Sequence, residues 1–292
     1  MQKINMENLQ EIIQSVPMLS ASASRLRQLT ANPEHDMQEV VSLVKTDANL
    51  TARVLKVVNS AAFGLMHEIT SIDRAISLLG ERIIVSIAIG DCAGKLFEKD
   101  LAGYEAASGA LWQHDLRAAI ASRELIIQTG ADISPDLAFT AGLLHDIGKS
   151  LISDYLQGSA PEALELICTQ DSRDYLAAEE KLIGVAHTTA GFELAKAWQL
   201  PEELCEVIRY HHQPAEASET ARPLVYAVHL GDNIAMLGGF GTGADSMQYH
   251  LDADYDKYLK LSSKTLDNVM LAVDIEFEKL EESLQSMGGQ KT

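Results

Sequence analysis

Apolar residues recur along this chain at intervals of three and four, the spacing that lines one face of a helix. Met37, Val40, Val41 and Val44 follow this spacing and predict one buried stripe over residues 37–44. Comparable patterns cover residues 49–60, 72–79, 82–97, 105–129 and 266–284. We find no alternating pair of strands and no Asn-Gly hairpin in the sequence. The hydrophobic pattern therefore predicts an all-α fold.

Several helix boundaries carry recognisable signals. Ser71 is a predicted N-cap for the helix at 72–79, and Gly80 supplies the left-handed residue that ends it. Ser134 followed by Pro135 predicts a helix that begins there and runs through His145. Further helices are predicted after Pro161, over residues 175–182 and 187–198, and from Pro201 and Pro223 onward.

The looser stretch at residues 98–103 is the best candidate for a boundary. We expect an N-terminal helical part at 1–100, a helical bundle at 101–240, and a connector with a C-terminal helix at 241–292. The glycine-rich run at 238–243 follows a helix and precedes no strand. It is therefore predicted to be a flexible connector rather than a phosphate-binding loop.

The composition is that of a globular protein, with 47% hydrophobic and 22% charged residues. The net charge of −19 disfavours binding to nucleic acid or to anionic membranes, because both require clustered Lys and Arg. The three cysteines form no CxxC pair, which disfavours disulfides and favours a cytoplasmic location. The longest apolar run, near residues 83–89, is too short to span a membrane.

The strongest chemical signal is the run AGLLHDIGK at residues 141–149. It places His145, Asp146 and Lys149 among apolar residues, where an unpaired polar group is costly. Lys149 lies on the same helix face as the other two. The candidate partners elsewhere in the chain are His114, His187, His211, His212 and Asp232. Imidazoles and carboxylates without thiolates suit a divalent metal site for iron, manganese, zinc or magnesium.

Each of these residues also has a purely structural interpretation. A single histidine on an apolar helix is more often a hydrogen-bonded core residue than a metal ligand. His211 and His212 could stabilise a helix C-terminus through its dipole, and Lys149 could be a surface lysine. Asp232 could cap a helix or pair with an arginine. His229, three residues earlier, could be an extra ligand or a donor that hydrogen-bonds to a ligand.

The order of these residues resembles the HD superfamily of metal-dependent phosphohydrolases, and more closely its HDOD group of bacterial signalling domains. In the C-terminal half the matching motifs are AGLLHDIGK at 141–149, GVAH at 184–187, AWQLP at 197–201 and HHQP at 211–214. In the N-terminal half they are DANLTARVL at 47–55, VNSAAFG at 58–64 and IDRAISLLG at 72–80. The resemblance therefore covers most of the chain.

This resemblance implies an HD-type helical bundle with an N-terminal helical subdomain packed against it. It implies one or two divalent ions and assigns their ligands. The first ion would be held by His114, His145, Asp146 and Asp232, and the second would be served by His187, His211 and His212. By analogy with the catalytic relatives, Asp146 and Lys149 would be the catalytic residues, with Lys149 stabilising negative charge as it develops.

The chain departs from the cyclic-dinucleotide phosphodiesterase branch at one motif. That branch carries Gly-Tyr-Pro shortly after its paired histidines, whereas residues 213–218 here read QPAEAS. Hydrolysis of cyclic-di-GMP is therefore not expected. Ala110 stands where some three-metal relatives carry a glutamate, so a third ion is not expected either. HDOD members are generally regarded as regulatory.

Three functional hypotheses follow from the sequence. The first is a cytoplasmic signalling or regulatory protein that retains a metal site and binds a signalling protein or a small phosphorylated ligand. The second is a metal-dependent phosphohydrolase acting on a nucleotide or another small phosphoester. The third is a non-catalytic interaction scaffold in which the histidines are structural. Homo-oligomers are compatible with each hypothesis.

Overall fold

The protein is all-α, as predicted. A computed structural model describes residues 3–17, 19–30, 35–58, 69–81, 84–85, 87–88, 96–97 and 99–288. Within these ranges no strand forms, and the β-type pairing is an isolated bridge between Leu101 and Ala106. None of the helices in these ranges combines the length and the apolar character needed to cross a bilayer.

The chain folds as two compact units. The first comprises Met1–Pro17 and Gly94–Met270, and the second comprises Met18–Ala93 and Leu271–Thr292. The three-part division expected from the sequence, with breaks near residues 100 and 240, stays a prediction. Residues 59–64 of the N-terminal motif, and most of the helix expected over 82–97, lie outside the described residues.

The second unit contains a series of short helices that match the hydrophobic pattern. Their bounds are Ala21–Thr30, Met37–Thr46, Ala48–Val58 and Ile72–Leu79. Val40, Val41 and Val44 are buried as expected, but Met37 is 43% exposed because it is the first residue of its helix. Ser71 occupies the predicted N-cap position without making a side-chain cap, since its hydroxyl donates to Asp73 instead.

The first unit is built on the helix Ala110–Thr129, which packs against Pro135–Leu144 and Arg222–Leu237. Its other helices are Met6–Ser15, Lys149–Ile152, Ala160–Cys168, Tyr175–Ile183, His187–Ala197 and Glu202–Tyr210. A last helix, Ser263–Gly288, begins in this unit and continues into the second. These helices surround the residues that the sequence singled out.

The helix Ala110–Thr129 begins five residues later than the predicted start at Glu105. Residues Ala102–Tyr104 form one turn of 3-10 helix, and Glu105 follows with φ of 58°. Gly109 then adopts φ of 82° at the N-cap. Since positive φ is incompatible with a right-handed helix, the helix can begin only at Ala110.

Glycines allow two close approaches between the helices of this unit. A Cβ at Gly142 would lie 2.7 Å from the Cα of Ala119. A Cβ at Gly148 would overlap the carbonyl oxygen of His187 and lie 2.6 Å from the backbone nitrogen of Gly191. These approaches bring the segments that carry His114, His145 and His187 to one place.

We predict that Gly148→Ala destabilises the protein by roughly 1–3 kcal/mol, the usual cost of overpacking a buried contact. The obstructing atoms are backbone and cannot move aside singly. Gly238→Ala is the matched control, because Gly238 also has negative φ and its added Cβ would make only ordinary contacts, the nearest at 3.4 Å. Urea unfolding of both variants measures the difference, and equal midpoints would contradict the prediction.

Candidate metal centre

His145 and Asp146 lie in the turn that follows the helix Pro135–Leu144. The helix begins as predicted, with Ser134 accepting a hydrogen bond from the Leu137 nitrogen and Pro135 in the first turn. It was predicted to run through His145, but it ends at Leu144 and His145 is its C-cap. Because the chain leaves the helix here, the two adjacent side chains can reach one centre, with His145 Nε2 lying 3.6 Å from Asp146 Oδ2.

The structure brings all seven predicted ligands together around the carboxylate of Asp146. The group consists of His114, His145, Asp146, His187, His211, His212 and Asp232, and these residues are between 0% and 5% exposed. They come from three helices and two helix ends that are far apart in sequence. The predicted convergence on His145 and Asp146 is therefore present in the fold.

The two oxygens of Asp146 face different imidazoles. Oδ2 lies 3.6 Å from Nε2 of both His114 and His145. Oδ1 lies 3.3 Å from Nε2 of His187 and 3.4 Å from Nε2 of His211. Asp146 thus stands between two groups of nitrogen donors, as a carboxylate shared by two ions would.

Asp232 closes the first of these groups. Its Oδ1 lies 3.1 Å from His114 Nε2 and 3.8 Å from His145 Nε2, and its Oδ2 lies 3.7 Å from His212 Nδ1. Asp232 is the one carboxylate on the helix Arg222–Leu237, which is apolar at Leu224, Val225, Val228 and Leu230. The lone carboxylate on an apolar helix is therefore directed into the centre.

Backbone carbonyl oxygens orient three of the imidazole rings. His114 Nδ1 donates to Phe240 O at 2.6 Å, and His145 Nδ1 donates to Gly142 O at 2.7 Å. His211 Nδ1 faces the Val207 carbonyl at 3.2 Å. Since a carbonyl oxygen can only accept, Nδ1 of each ring carries a proton and Nε2 is directed into the centre.

His145 and His211 are both helix C-caps whose rings bond to carbonyls of their own last turn. The carbonyls of Gly142 and Ile208 are among the last four of their helices, which have no partner within the helix. The two interpretations left open for His211, as a helix-end residue and as a metal ligand, are therefore compatible. Capping the helix with Nδ1 is what points Nε2 toward Asp146.

A buried carboxylate orients the fourth ring. Glu179 accepts from His187 Nδ1 at 2.9 Å through Oε2 and from the backbone nitrogen of His187 at 2.8 Å. Its Oε1 accepts from the Tyr104 hydroxyl at 2.7 Å. The ring of His187 is thus held at the first residue of its helix with Nε2 facing inward.

Buried polar atoms that lack a hydrogen-bond partner within the described residues concentrate at this centre. They include Nε2 of His114, His145, His187 and His211, both nitrogens of His212, Oδ1 of Asp146 and Oδ2 of Asp232. Each such atom costs about 1–3 kcal/mol when it stays unsatisfied. A divalent cation would satisfy most of them at once, so the residues fit a metal.

Ligand atoms from two overlapping sets of residues lie within 4.8 Å of one another. One set is Asp146, His187, His211 and His212, and the other is His114, Asp115, His145 and Asp146. Asp146 belongs to both sets. The donor chemistry, imidazole-rich with carboxylates and no thiolate, suits iron, manganese or zinc better than magnesium.

The charges at the centre are set by burial and by neighbouring groups. Burial disfavours ionised Asp146, but the Lys149 ammonium and His145 outweigh it and hold the pKa of the carboxyl well below its usual range. Burial lowers the pKa of His211 to about 4. It also disfavours the charged form of His145, but the carboxylates of Asp146 and Asp232 raise the pKa of that ring to about 10. A metal that binds His145 would therefore displace a proton.

Lys149 shares the face of His145 and Asp146 as predicted, and it is 2% exposed. Its Nζ lies 2.6 Å from Asp146 Oδ2 and 2.5 Å from Asp245 Oδ2, and it donates to Thr242 Oγ1 at 2.8 Å. The interpretation as a surface lysine is wrong. The predicted role of Lys149 in stabilising developing charge stays a prediction.

The glycine-rich run belongs to a segment that lies over the centre, and we call residues 238–252 the closing segment. The ring of Tyr249 in this segment stacks on the His212 ring, with 3.7 Å between the ring centroids. His229 Nδ1 donates to the His211 carbonyl at 2.7 Å, and its Nε2 accepts from the Asp252 nitrogen at 3.0 Å. Both nitrogens of His229 are therefore used outside the donor sets, which fits the alternative in which His229 supports a ligand rather than binding the metal.

The match to the HDOD domain family covers residues 16–214. The chain belongs to the HDOD family. Among solved structures, the "HDOD domain protein with unknown function" of Geobacter sulfurreducens is 23% identical with a TM-score of 0.67, over 96% of this chain and 98% of that one. The "Putative phosphohydrolase" of Shewanella amazonensis SB2B is 26% identical with a TM-score of 0.58, over 97% and 94%.

A curated relative of this HDOD chain is an uncharacterized protein of Treponema pallidum (strain Nichols). It is 24% identical over 216 residues, which are 74% of this chain and 41% of the relative. The match thus spans about two fifths of that relative's length.

Asp115 is a site residue of this HDOD chain that we did not predict. It directly follows His114, is fully buried, and its Oδ1 lies 3.7 Å from His145 Nδ1. Neither oxygen has a hydrogen-bond partner among the described residues. The available signal was a carboxylate within the mostly apolar helix Ala110–Thr129. We also did not predict Glu179 and Asp245, which lie 8 and 96 positions from the side chains that they hold.

We predict that Asp115→Asn stabilises the metal-free HDOD protein at pH 8 and has little effect at pH 4. Burial raises the pKa of the Asp115 carboxyl to about 8, whereas its unfolded value is about 3.9. The unfolded chain therefore releases this proton first, and wild-type stability falls as pH rises between these values, by at most about 1.4 kcal/mol per pH unit. Urea unfolding in EDTA from pH 4 to 8 measures this, and a gap that does not widen with pH would contradict it.

Proposed function

We propose that this HDOD protein is a regulatory signal-transduction protein that holds one or two divalent metal ions at its His/Asp centre. The observation that carries this proposal is the carboxylate of Asp146. Its two oxygens are buried and face two separate pairs of imidazole Nε2 atoms, and Oδ1 lacks a hydrogen-bond partner among the described residues. One ion would be held by His114, His145, Asp146 and Asp232, and a second by His187, His211 and His212 with Asp146.

A regulatory role is supported by the contacts that the closing segment makes with His212 and Lys149. The Tyr249 ring stacks on His212, and the Lys149 ammonium is neutralised by Asp146 and Asp245. The residues that would otherwise meet a substrate are thus occupied by contacts within the chain. The partner we propose is a signalling protein or a small phosphorylated ligand, in the cytoplasm. When bound, a divalent ion would supply Lewis acidity toward phosphoryl oxygens.

We predict that the purified protein takes up at least one divalent ion per chain when iron, manganese, zinc and magnesium are offered separately. Asp146→Asn should reduce the affinity by at least about tenfold, because it removes the shared carboxylate. Asp256→Asn is the control, since this exposed carboxylate belongs to neither donor set. Elemental analysis after gel filtration measures the content. If wild type retained none of the four metals, the proposal would fail.

The scaffold hypothesis makes a different prediction for His145→Ala. If the histidines were only structural, this change would alter stability but leave the metal content of the protein unchanged. The same elemental analysis separates the two hypotheses.

The second candidate function is a metal-dependent phosphohydrolase acting on a nucleotide or another small phosphoester. A carboxylate placed between two donor groups favours it, because two-metal sites of this kind bind both the attacking and the leaving oxygen of a phosphoester. The similarity to the "Putative phosphohydrolase" of Shewanella amazonensis also supports it. Asp146 would hold the metal, and Lys149 would keep that carboxylate charged.

We predict that metal-loaded wild-type protein shows no turnover above background when screened against nucleotides, cyclic dinucleotides and simple phosphomonoesters. The reason is that the closing segment and the Lys149 ion pairs occupy the space beside the ligands. Phosphate release measures turnover, with Asp146→Asn as the background control. Hydrolysis by wild type that disappears in this variant would overturn the regulatory proposal in favour of the phosphohydrolase.

A further inference from the structure

A chain of buried charges links the metal centre to the closing segment. The Lys149 ammonium lies 2.6 Å from Asp146 Oδ2 and 2.5 Å from Asp245 Oδ2. Asp146 and Asp245 are fully buried, and Lys149 is nearly so. Oδ2 of Asp146 contacts Lys149, and this same oxygen faces His114 and His145.

Asp245 is itself held firmly in place. Thr242 Oγ1 donates to its carboxylate at 2.9 Å, and the Tyr249 hydroxyl donates to Oδ2 at 2.8 Å. The neighbouring Ala244 nitrogen donates to the Tyr104 carbonyl at 2.7 Å. The carboxylate is thus fixed by its own segment and aimed at Lys149.

The closing segment also contacts the centre at three other points. The Phe240 carbonyl accepts from His114 Nδ1, the Tyr249 ring stacks on His212, and the Asp252 nitrogen donates to His229. Two of these points are rings of predicted ligands. A change in the position of those rings on metal binding would reach the segment directly.

We propose that Asp245 is a positioning residue of the metal centre, and that through Lys149 it couples metal binding to the order of the closing segment. This inference rests on the proposed function, since it requires that the centre binds a metal. Lys149 places a positive charge beside the ligand oxygen of Asp146, where it opposes a bound cation. Asp245 neutralises that charge and draws the ammonium toward the closing segment. The carboxylate of Asp146 can then bind the metal, while Lys149 stays buried and paired with Asp245.

A purely structural role for Asp245 predicts something different. In that case Asp245 would stabilise the fold by pairing with Lys149, and a folded variant would bind metal as wild type does. The coupling proposed here requires that metal affinity depends on Asp245 in the folded protein, and that metal changes the exchange of amides in the closing segment. Metal affinity and segment exchange are therefore the deciding measurements.

The experiment compares full-length wild type, Asp245→Asn and the control Asp256→Asn, each shown to be folded by circular dichroism. Affinity for Mn²⁺ is measured by chelator competition. We expect Asp245→Asn to bind about 10–100-fold more weakly, the usual effect of removing a partner that supports a ligand. We expect Asp256→Asn to match wild type, because this exposed carboxylate lies outside the charge chain.

Hydrogen exchange of the amides in residues 238–252 supplies the second measurement. Saturating Mn²⁺ should slow exchange in wild type, and this protection should be reduced in Asp245→Asn at equal metal occupancy. If Asp245→Asn does not fold, Tyr249→Phe replaces it, because it removes one hydrogen bond to Asp245 and retains the ring over His212. A several-fold loss of affinity is then expected.

Two results overturn the inference, and they differ in what else they overturn. If wild type binds Mn²⁺ and the folded Asp245 or Tyr249 variant binds equally well, or metal leaves segment exchange unchanged, only the coupling is wrong. If wild type binds none of the metals offered, the proposed function fails together with the inference.

Discussion

The structure of the centre depends on the burial of one carboxylate. Asp146 is fully removed from solvent, and a charge in that position is tolerated only when it is closely compensated. The Lys149 ammonium compensates one oxygen, and the inward imidazoles approach both. The helix ends, the glycine contacts and the closing segment all serve to bring these groups to a side chain that could not otherwise be buried.

Unpaired carbonyls at helix ends orient two of the imidazole rings. A ring at a C-cap can donate Nδ1–H to a carbonyl that lacks a helical partner, and this leaves Nε2 directed away from the helix. His145 does this at the Gly142 carbonyl, and His211 does it at the Ile208 carbonyl. The carbonyl of Phe240 has the same effect on His114 from a loop. The same hydrogen bond therefore caps the helix and orients the candidate metal-binding nitrogen of the ring. This explains why polar residues at helix ends indicated the site in the sequence.

The residues missed by sequence reasoning share a physical feature. Glu179 holds His187, and Asp245 holds Lys149, across 8 and 96 positions of the chain. Asp115 directly follows a predicted ligand but faces the opposite nitrogen of His145. None of these roles produces a recognisable sequence motif. A carboxylate that supports a ligand cannot be distinguished in the sequence from one that faces solvent. The late start of the helix Ala110–Thr129 was missed for a similar reason, since positive φ at Glu105 has no compositional signal.

By itself the sequence determined the all-α fold, the family and the identity of the seven candidate ligands. Helical periodicity is a local property, and the ligands stand in separated motifs whose order can be read directly. Only the tertiary structure decided that Asp146 lies between two groups of imidazoles, that Lys149 is buried and paired with Asp245, and that the glycine-rich segment covers the centre. Those features depend on distances between residues remote in sequence, and such distances are set by how the helices pack.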